Sequence, residues 1–145
     1  MKLESIYIEC GNFKKSILFY KQLLNIEPKV FTENRYVVFE CGNRICLYNP
    51  EYDVDLIKNQ KDTSNNFNDK YIKNFKSKDI QKRLNNIMIL NLRSENLKNE
   101  YERLKKSNIG DLSKIMYVNI TEPYYYFTIK DPDGNELEIY GDNYN

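Results

Sequence analysis

Apolar and polar residues alternate in the first strand-like stretch of the chain, "LESIYIEC" at residues 3–10. Ile6 and Ile8 point to one side of the predicted strand, because successive side chains of a strand face opposite ways. The other side carries Ser5, Tyr7 and Glu9. The pattern predicts a half-buried strand, with one apolar face in the core and one polar face outside it.

An amphipathic helix is predicted next, at residues 13–24, where apolar residues recur at helical spacing. Asn12 is a candidate N-cap, and Pro28 lies just beyond the end of the helix. The predicted buried stripe consists of Phe13, Ile17, Tyr20 and Leu24. Strand-like runs follow at residues 29–32, 35–40 and 44–48, which completes the order β-α-β-β-β.

The same order of elements recurs later in the chain. A predicted strand at 86–92 precedes a helix that starts near Ser94, whose buried stripe is Leu97, Tyr101 and Leu104. Three more strands follow, at residues 115–121, 124–130 and 136–140. We therefore predict an α+β fold of two βαβββ modules in tandem, at 1–49 and 83–145. Residues 50–82 form a polar connection, with a short helix expected at 69–75.

Composition narrows the function classes. The 145 residues carry 22 basic and 21 acidic side chains, so the net charge of +1 predicts neither nucleic acid nor a membrane surface as partner. No stretch approaches the roughly 20 apolar residues that span a bilayer. Three cysteines without a C-x-x-C pair, and a start without an apolar leader, favour a cytoplasmic protein. The chain has no histidine, which excludes Ser-His-Asp and Cys-His mechanisms.

Two motifs carry a family resemblance. The first helix ends in "FYKQLL", and the chain closes on "DPDGNELEIYG". With the paired βαβββ modules, these motifs resemble the vicinal oxygen chelate superfamily, which includes glyoxalase I, bleomycin resistance proteins and extradiol dioxygenases. The resemblance covers nearly the whole chain except residues 50–80, and it departs at Asn25, where the family usually has glycine. It implies that the modules curl into a cup-shaped cleft, and that the protein is a homodimer. Each cup forms within one chain or between two.

The resemblance also assigns four cup positions that hold a divalent metal in many members. In this chain they correspond to Ser5, Cys46, Ile87 (or the neighbouring Asn86) and Glu138. One carboxylate, one hydroxyl and one thiol lack the ligand set that protein metal sites need. The resemblance therefore implies a member without a metal and without another cofactor.

Strand alternation then predicts what lines the cup. If Ser5 and Glu138 face inward, Phe127 and Ile129 pack toward the helix instead. The predicted lining consists of Ser5, Tyr7, Glu9, Arg44, Cys46, Tyr48, Tyr124, Tyr126, Thr128, Glu138 and Tyr140. Tyrosine faces suit a planar organic ligand, and carboxylates beside them favour a cationic group. The alternative for any one tyrosine is a packing role, and for Cys46 that of a small buried residue.

Three functions fit this lining. The first is sequestration of a small aromatic or cationic molecule, a drug or a metabolite, without chemistry. The second is a lyase or isomerase similar to lactoylglutathione lyase, in which Glu138 or Glu9 would act as base and Arg44 or a tyrosine as electrophile. The third is a regulatory module whose cup is filled by its own side chains. We expect the first, because it needs neither a metal nor a histidine base.

Overall fold

A computed structural model describes residues 5–59, 72, 76, 89–119 and 123–144. The chain divides into two compact units: the first is Met1–Ile17 with Glu27–Arg83, and the second is Leu18–Ile26 with Leu84–Asn145. Each unit contains one four-stranded mixed sheet. Among the helices that the structure describes, none has the length and apolar content that crossing a bilayer requires.

The first sheet has the strand order β1-β4-β3-β2. Its elements along the chain are β1 (Ser5–Glu9), α1 (Phe13–Leu24), β2 (Val30–Thr32), β3 (Tyr36–Cys41), β4 (Asn43–Tyr48) and, after the sheet, α2 (Pro50–Lys58). Strands β1 and β4 pair in parallel, whereas the other pairs are antiparallel. Val37, Phe39 and Leu47 are fully buried on one side of this sheet and form its core.

The second sheet repeats this topology with the order β5-β8-β7-β6. Its elements are β5 (Leu90–Arg93), α3 (Leu97–Ser107), β6 (Met116–Asn119), β7 (Pro123–Lys130) and β8 (Glu136–Gly141). Phe127, Ile129 and Leu137 are fully buried, and the ring of Tyr101 on α3 meets Phe127 edge-on at 5.0 Å. This confirms the prediction that Phe127 and Ile129 pack toward the helix.

The predicted α+β fold of two βαβββ modules is confirmed. Strand bounds differ from the predicted ones by one or two residues where the structure describes them. Helix α2 was not predicted, because residues 50–58 were interpreted as part of a polar connection. The short helix expected at 69–75, and residues 86–88 of a predicted strand, lie outside the described residues.

The buried stripe of α1 differs from the predicted one. Phe13 and Tyr20 are buried as expected, but Ile17 and Leu24 are only half-buried. The buried set on α1 is Phe13, Ser16, Phe19, Tyr20 and Leu23. Two neighbouring rows of residues are therefore covered, which gives α1 a wider apolar face than a single i, i+4 and i+7 row predicts.

The ends of α1 follow local chemistry. The Asn12 side chain accepts a hydrogen bond from the backbone N–H of Lys15 at 3.1 Å, which confirms Asn12 as the N-cap. Just beyond the helix, Asn25 has a φ of 53°. The left-handed region is open to glycine and, among other residues, most readily to asparagine. Asn25 can therefore replace the family's glycine at this position.

The C-terminal half of α1 is anchored in the second unit. The Tyr20 hydroxyl donates to Asp131 Oδ2 at 3.0 Å, and both residues are buried. Asp131 also accepts the backbone N–H groups of Asp133 and Asn135, at 3.0 and 2.8 Å. Arg103 of α3 donates to the carbonyl of Leu23 at 2.6 Å. The "DPDGN" motif is therefore a turn whose first aspartate holds α1.

Candidate functional site

One face of the first sheet carries all of its predicted site residues. Residues that pair across neighbouring strands point to the same side of a sheet. The cross-strand pairs on this side are Ser5 with Arg44, Tyr7 with Cys46, and Glu9 with Tyr48. We call this set the first face. The opposite side carries the buried apolar residues of the core.

The centre of the first face is closed. Cys46 is only 2% exposed, and Tyr36 of β3 lies against it by a side-chain hydrogen bond. Burial, that hydrogen bond and the nearby Cys46 and Tyr7 raise the pKa of Tyr36 to about 12. Cys46 is therefore a small buried residue of the first face, which is the alternative role that its sequence left open.

A buried carboxylate from α2 reaches the end of the first face. Asp53 is fully buried and accepts a hydrogen bond from the Tyr48 hydroxyl at 2.5 Å. Arg35 binds both of its oxygens, with Nε 2.8 Å from Oδ1 and Nη2 3.3 Å from Oδ2. The Arg35 guanidinium also lies 6.0 Å from the centre of the Tyr52 ring. The negative charge of Asp53 therefore already has a cation from the protein itself.

The second sheet presents the other predicted site residues on one face. Tyr126 pairs across strands with Tyr140, and Thr128 pairs with Glu138. We call the second face the set Tyr124, Tyr126, Thr128, Glu138 and Tyr140. All five are partly exposed, whereas Leu137 and Ile139 between them are buried. Alternation thus separates this face from the apolar core.

Three tyrosine rings cluster on the second face. The ring centre of Tyr124 lies 5.8 Å from that of Tyr126 and 5.7 Å from that of Tyr140, in tilted and edge-on arrangements. We call these three residues the tyrosine cluster. Burial, followed by the nearby charge of Glu138, raises the pKa of Tyr124. The carboxylate is therefore close enough to the cluster for its charge to act on it.

The carboxylate of Glu138 is anchored by a neutral amide. Asn91 of β5, its cross-strand partner, donates from Nδ2 to Oε1 at 2.7 Å. Burial raises the pKa of Glu138, the Asn91 hydrogen bond lowers it, and the charge of Glu136 raises it. Among the residues that the structure describes, no lysine or arginine pairs with Glu138. This carboxylate differs in that respect from Asp53.

The four positions that the resemblance assigns to a metal do not fit one in their donor chemistry. Cys46 is buried against Tyr36, and Ser5 pairs across strands with Arg44. Ile87 and its alternative Asn86 lie outside the described residues, and the isoleucine side chain offers no donor atom. Within the described ranges, no three Cys, Asp or Glu side chains come together as a metal group. We therefore assign no chemical step to a metal.

Several residues of these faces were missed from the sequence. Alternation within "RYVVFE" would have placed Tyr36 on the first face, and alternation within "NIMILNL" would have placed Asn91 on the second. No sequence pattern pairs Arg35 with Asp53, because the two residues are 18 positions apart and meet only through α2. The N-cap asparagine and the proline of "NPEYD" were nonetheless a start signal for α2.

The fold has many known counterparts. A glyoxalase-related enzyme from Fulvimarina pelagi is 16% identical, with a TM-score of 0.65 over 97% of this chain and 87% of that one. Lactoylglutathione lyase from Agrobacterium tumefaciens is 14% identical, with a TM-score of 0.58 over 97% and 92%. A glyoxalase/bleomycin resistance protein/dioxygenase family enzyme from Burkholderia phytofirmans PsJN is 13% identical, with a TM-score of 0.62 over 97% and 98%. At these identities the likeness shows the fold alone.

Comparison of the sequence with protein families is more specific than these structural matches. No curated protein matches the chain. Residues 2–139, however, match the family described as the Glyoxalase/Bleomycin resistance protein/Dioxygenase superfamily. The match includes all eight strands except the last two residues of β8. The chain therefore belongs to the glyoxalase/bleomycin resistance protein/dioxygenase superfamily.

Proposed function

We propose that this protein binds a small aromatic cation on the second face, without a metal and without transforming it. The observation that carries the proposal is the tyrosine cluster beside the carboxylate of Glu138. Tyrosine rings attract a cation through their electron-rich faces and also stack on a planar ring. The ligand would be a drug or a metabolite that the protein sequesters.

The charge of Glu138 supports a cationic ligand. Removal of a carboxylate from water costs free energy unless a positive charge or hydrogen bonds replace the water. Asn91 supplies one hydrogen bond, and burial still raises the pKa of Glu138. A ligand cation would provide the missing compensation. Asp53 offers no such opportunity, since Arg35 already binds both of its oxygens.

The first face has an aromatic surface of its own. Tyr7 is 59% exposed and meets Tyr48 edge-on at 6.5 Å. Glu9 and Arg44 stay predicted ligand contacts. The lyase alternative loses its main support, because the residues at the four metal positions do not fit the ion that we expect such an enzyme to need.

The test compares two tyrosines of the second sheet that face opposite ways. Tyr126 belongs to the tyrosine cluster, whereas Tyr117 is 58% exposed and contacts Tyr125 on the other side of the sheet. A panel of planar cations, neutral aromatics and anions is screened by calorimetry and thermal shift. Cations should bind best, and Tyr126→Leu should weaken their binding by about 1 kcal/mol. Tyr117→Leu should leave it unchanged.

Other results of this screen would contradict the proposal. Binding of anions alone would show that the carboxylate of Glu138 does not set the polarity of the site. Equal losses from Tyr126→Leu and Tyr117→Leu would place the ligand elsewhere. The absence of any binder, with both variants folded, would favour a module filled by its own side chains.

We also propose that the protein is a homodimer in the cytoplasm. Strand β2 forms an edge of the first sheet, where Val30 and Phe31 are 44% and 56% exposed. An exposed apolar edge strand is commonly covered by another chain. Light scattering at tens of micromolar should report twice the monomer mass, and a monomer would contradict the dimer. The three cysteines are all thiols, which supports a reducing compartment.

A further inference from the structure

The two oxygens of the Glu138 carboxylate differ in their hydrogen bonds to the described residues. The Asn91 amide donates to Oε1 at 2.7 Å. In the described part of the chain, Oε2 has no hydrogen-bond donor. Asn91 is exposed and lies directly opposite Glu138, on the neighbouring parallel strand. The pairing of β5 with β8 therefore places the Asn91 amide against one of the two carboxylate oxygens.

The first unit contains the opposite arrangement. Arg35 approaches Asp53 as a fork, with one nitrogen near each oxygen at 2.8 and 3.3 Å. A guanidinium or amidinium needs both oxygens for this two-point contact. At Glu138 one nitrogen of such a ligand would have to share Oε1 with the Asn91 amide or displace that amide. An ammonium group, which acts as a point charge, needs only Oε2.

We infer that Asn91 is a specificity-determining residue, and that the ligand of the second face carries a protonated amine rather than an amidinium or a guanidinium. The inference rests on the proposed function, because it assumes that a cation binds at Glu138. Asn91 acts by engaging Oε1, so that the remaining oxygen selects a single N–H donor. Removal of the amide should open Glu138 to two-point contacts.

The experiment uses two aromatic cations of nearly the same size. Naphthylmethylammonium offers a one-point N–H contact, and naphthamidinium offers a two-point contact. Their dissociation constants are measured by calorimetry on the full chain, and the readout is the ratio of the two. The wild-type protein should prefer the ammonium. Asn91→Ala should change the ratio by about tenfold in favour of the amidinium, as expected for one charged hydrogen bond.

Two further variants separate selectivity from general damage. Asn91→Thr keeps a hydroxyl donor and should retain most of the preference for the ammonium. Asn99→Ala makes the same truncation at an exposed position of α3 and should leave both dissociation constants unchanged. Trimethyl(naphthylmethyl)ammonium, which has no N–H, should bind the wild-type protein more weakly than the primary amine does.

The outcomes distinguish this inference from the proposed function. If neither cation binds the wild-type protein, the proposed function fails, and the inference fails with it. If both cations bind but the ratio is the same in the wild-type protein and in Asn91→Ala, the proposed function stands and Asn91 does not set specificity. A wild-type preference for the amidinium would also overturn the inference.

Discussion

The two sheets have the same topology and the same register but different residues at their centres. In the first sheet Cys46 lies opposite Tyr7, and in the second Glu138 lies opposite Asn91. Cys46 is buried against Tyr36, whereas Glu138 is partly exposed beside the tyrosine cluster. One backbone design therefore supports a closed face in one unit and an open, charged face in the other.

This difference shows where a duplicated fold can diverge. The core sides of the two sheets are similar, with fully buried Leu47 in one and Leu137 in the other. The polar sides differ in the partner of a carboxylate: Asp53 is paired with Arg35, whereas among the described residues Glu138 is bound by the neutral amide of Asn91 and by no cation. A carboxylate that an arginine already binds has less to offer a ligand than one that only a neutral amide binds.

Exchange of the central residues tests this comparison most severely. Cys46→Glu would place a carboxylate at a position that is 2% exposed and should lower the free energy of unfolding by about 3 kcal/mol or more. Glu138→Cys should change it by less than about 1 kcal/mol, because that side chain is partly exposed. Urea unfolding measures both, with Cys46→Val as a volume control. If Cys46→Glu and Glu138→Cys changed the free energy of unfolding by similar amounts, the centres of the two faces would not differ in how closed they are.

The next largest effect concerns the paired charge of α2. Asp53→Ala removes the partner of Arg35 and the acceptor of the Tyr48 hydroxyl, so it should cost about 2–3 kcal/mol of unfolding free energy. The matched control is Asp142→Ala in the second unit. Its ion pair with Arg93 is exposed, at 62% and 63%, and should contribute less than about 1 kcal/mol. Equal losses in urea unfolding would contradict this contrast.

The pH dependence of Glu138 gives a smaller effect. Its folded-state pKa is raised, mainly by burial, so between the unfolded and folded pKa values the folded protein binds more protons. Stability therefore falls as pH rises through this window. Glu138→Gln removes this cost and should stabilise the ligand-free protein at pH 7 by up to about 0.5 kcal/mol, while it weakens cation binding.

Two pH series check the Glu138 prediction. The advantage of Glu138→Gln in urea unfolding should disappear below the ordinary glutamate pKa. The affinity of the wild-type protein for a cation should fall as the pH is lowered through the raised value. A stability advantage that grows at acidic pH would have the wrong sign.

The smallest effect is expected from the ionisation of Tyr36, which lies beside Cys46. Because its pKa is raised to about 12, Tyr36 should ionise at a higher pH than the unfolded chain's tyrosines, whose pKa is about 10. Stability should fall as the pH rises from about 10 toward 12, since the unfolded chain loses the proton first. Absorbance titration should show a late component that Tyr36→Phe removes and Tyr7→Phe does not.

Alternation was sufficient to predict the strands and the sides on which their residues lie. Glu138 and Tyr140 were separated from Leu137 and Ile139 by the period of two alone, and the structure places them accordingly. The helix stripe of α1 was predicted less well, because Phe19 and Leu23 widen it. Periodicity identifies which face is buried more reliably than how wide that face is.

Contacts between distant segments could not be predicted from the sequence. The pairing of Arg35 with Asp53 depends on the path of α2, and the Asn91 hydrogen bond depends on the register of β5 against β8. Register is set by how buried faces and turns fit together, and not by any local pattern. The structure was therefore needed to distinguish Asp53, which pairs with an arginine, from Glu138, which a neutral amide binds.

Helix α1 has a consequence for how the chain can be divided. It is one continuous helix, yet its residues from Leu18 onward belong to the second compact unit, where Tyr20 binds Asp131. A fragment that begins at residue 83 would lack this segment, and the buried carboxylate of Asp131 would lose one of its donors. Because helix formation is cooperative, loss of one half also weakens the other. A circular permutant cut between the two modules should therefore keep the contact of Tyr20 with Asp131, which two separate fragments would lose.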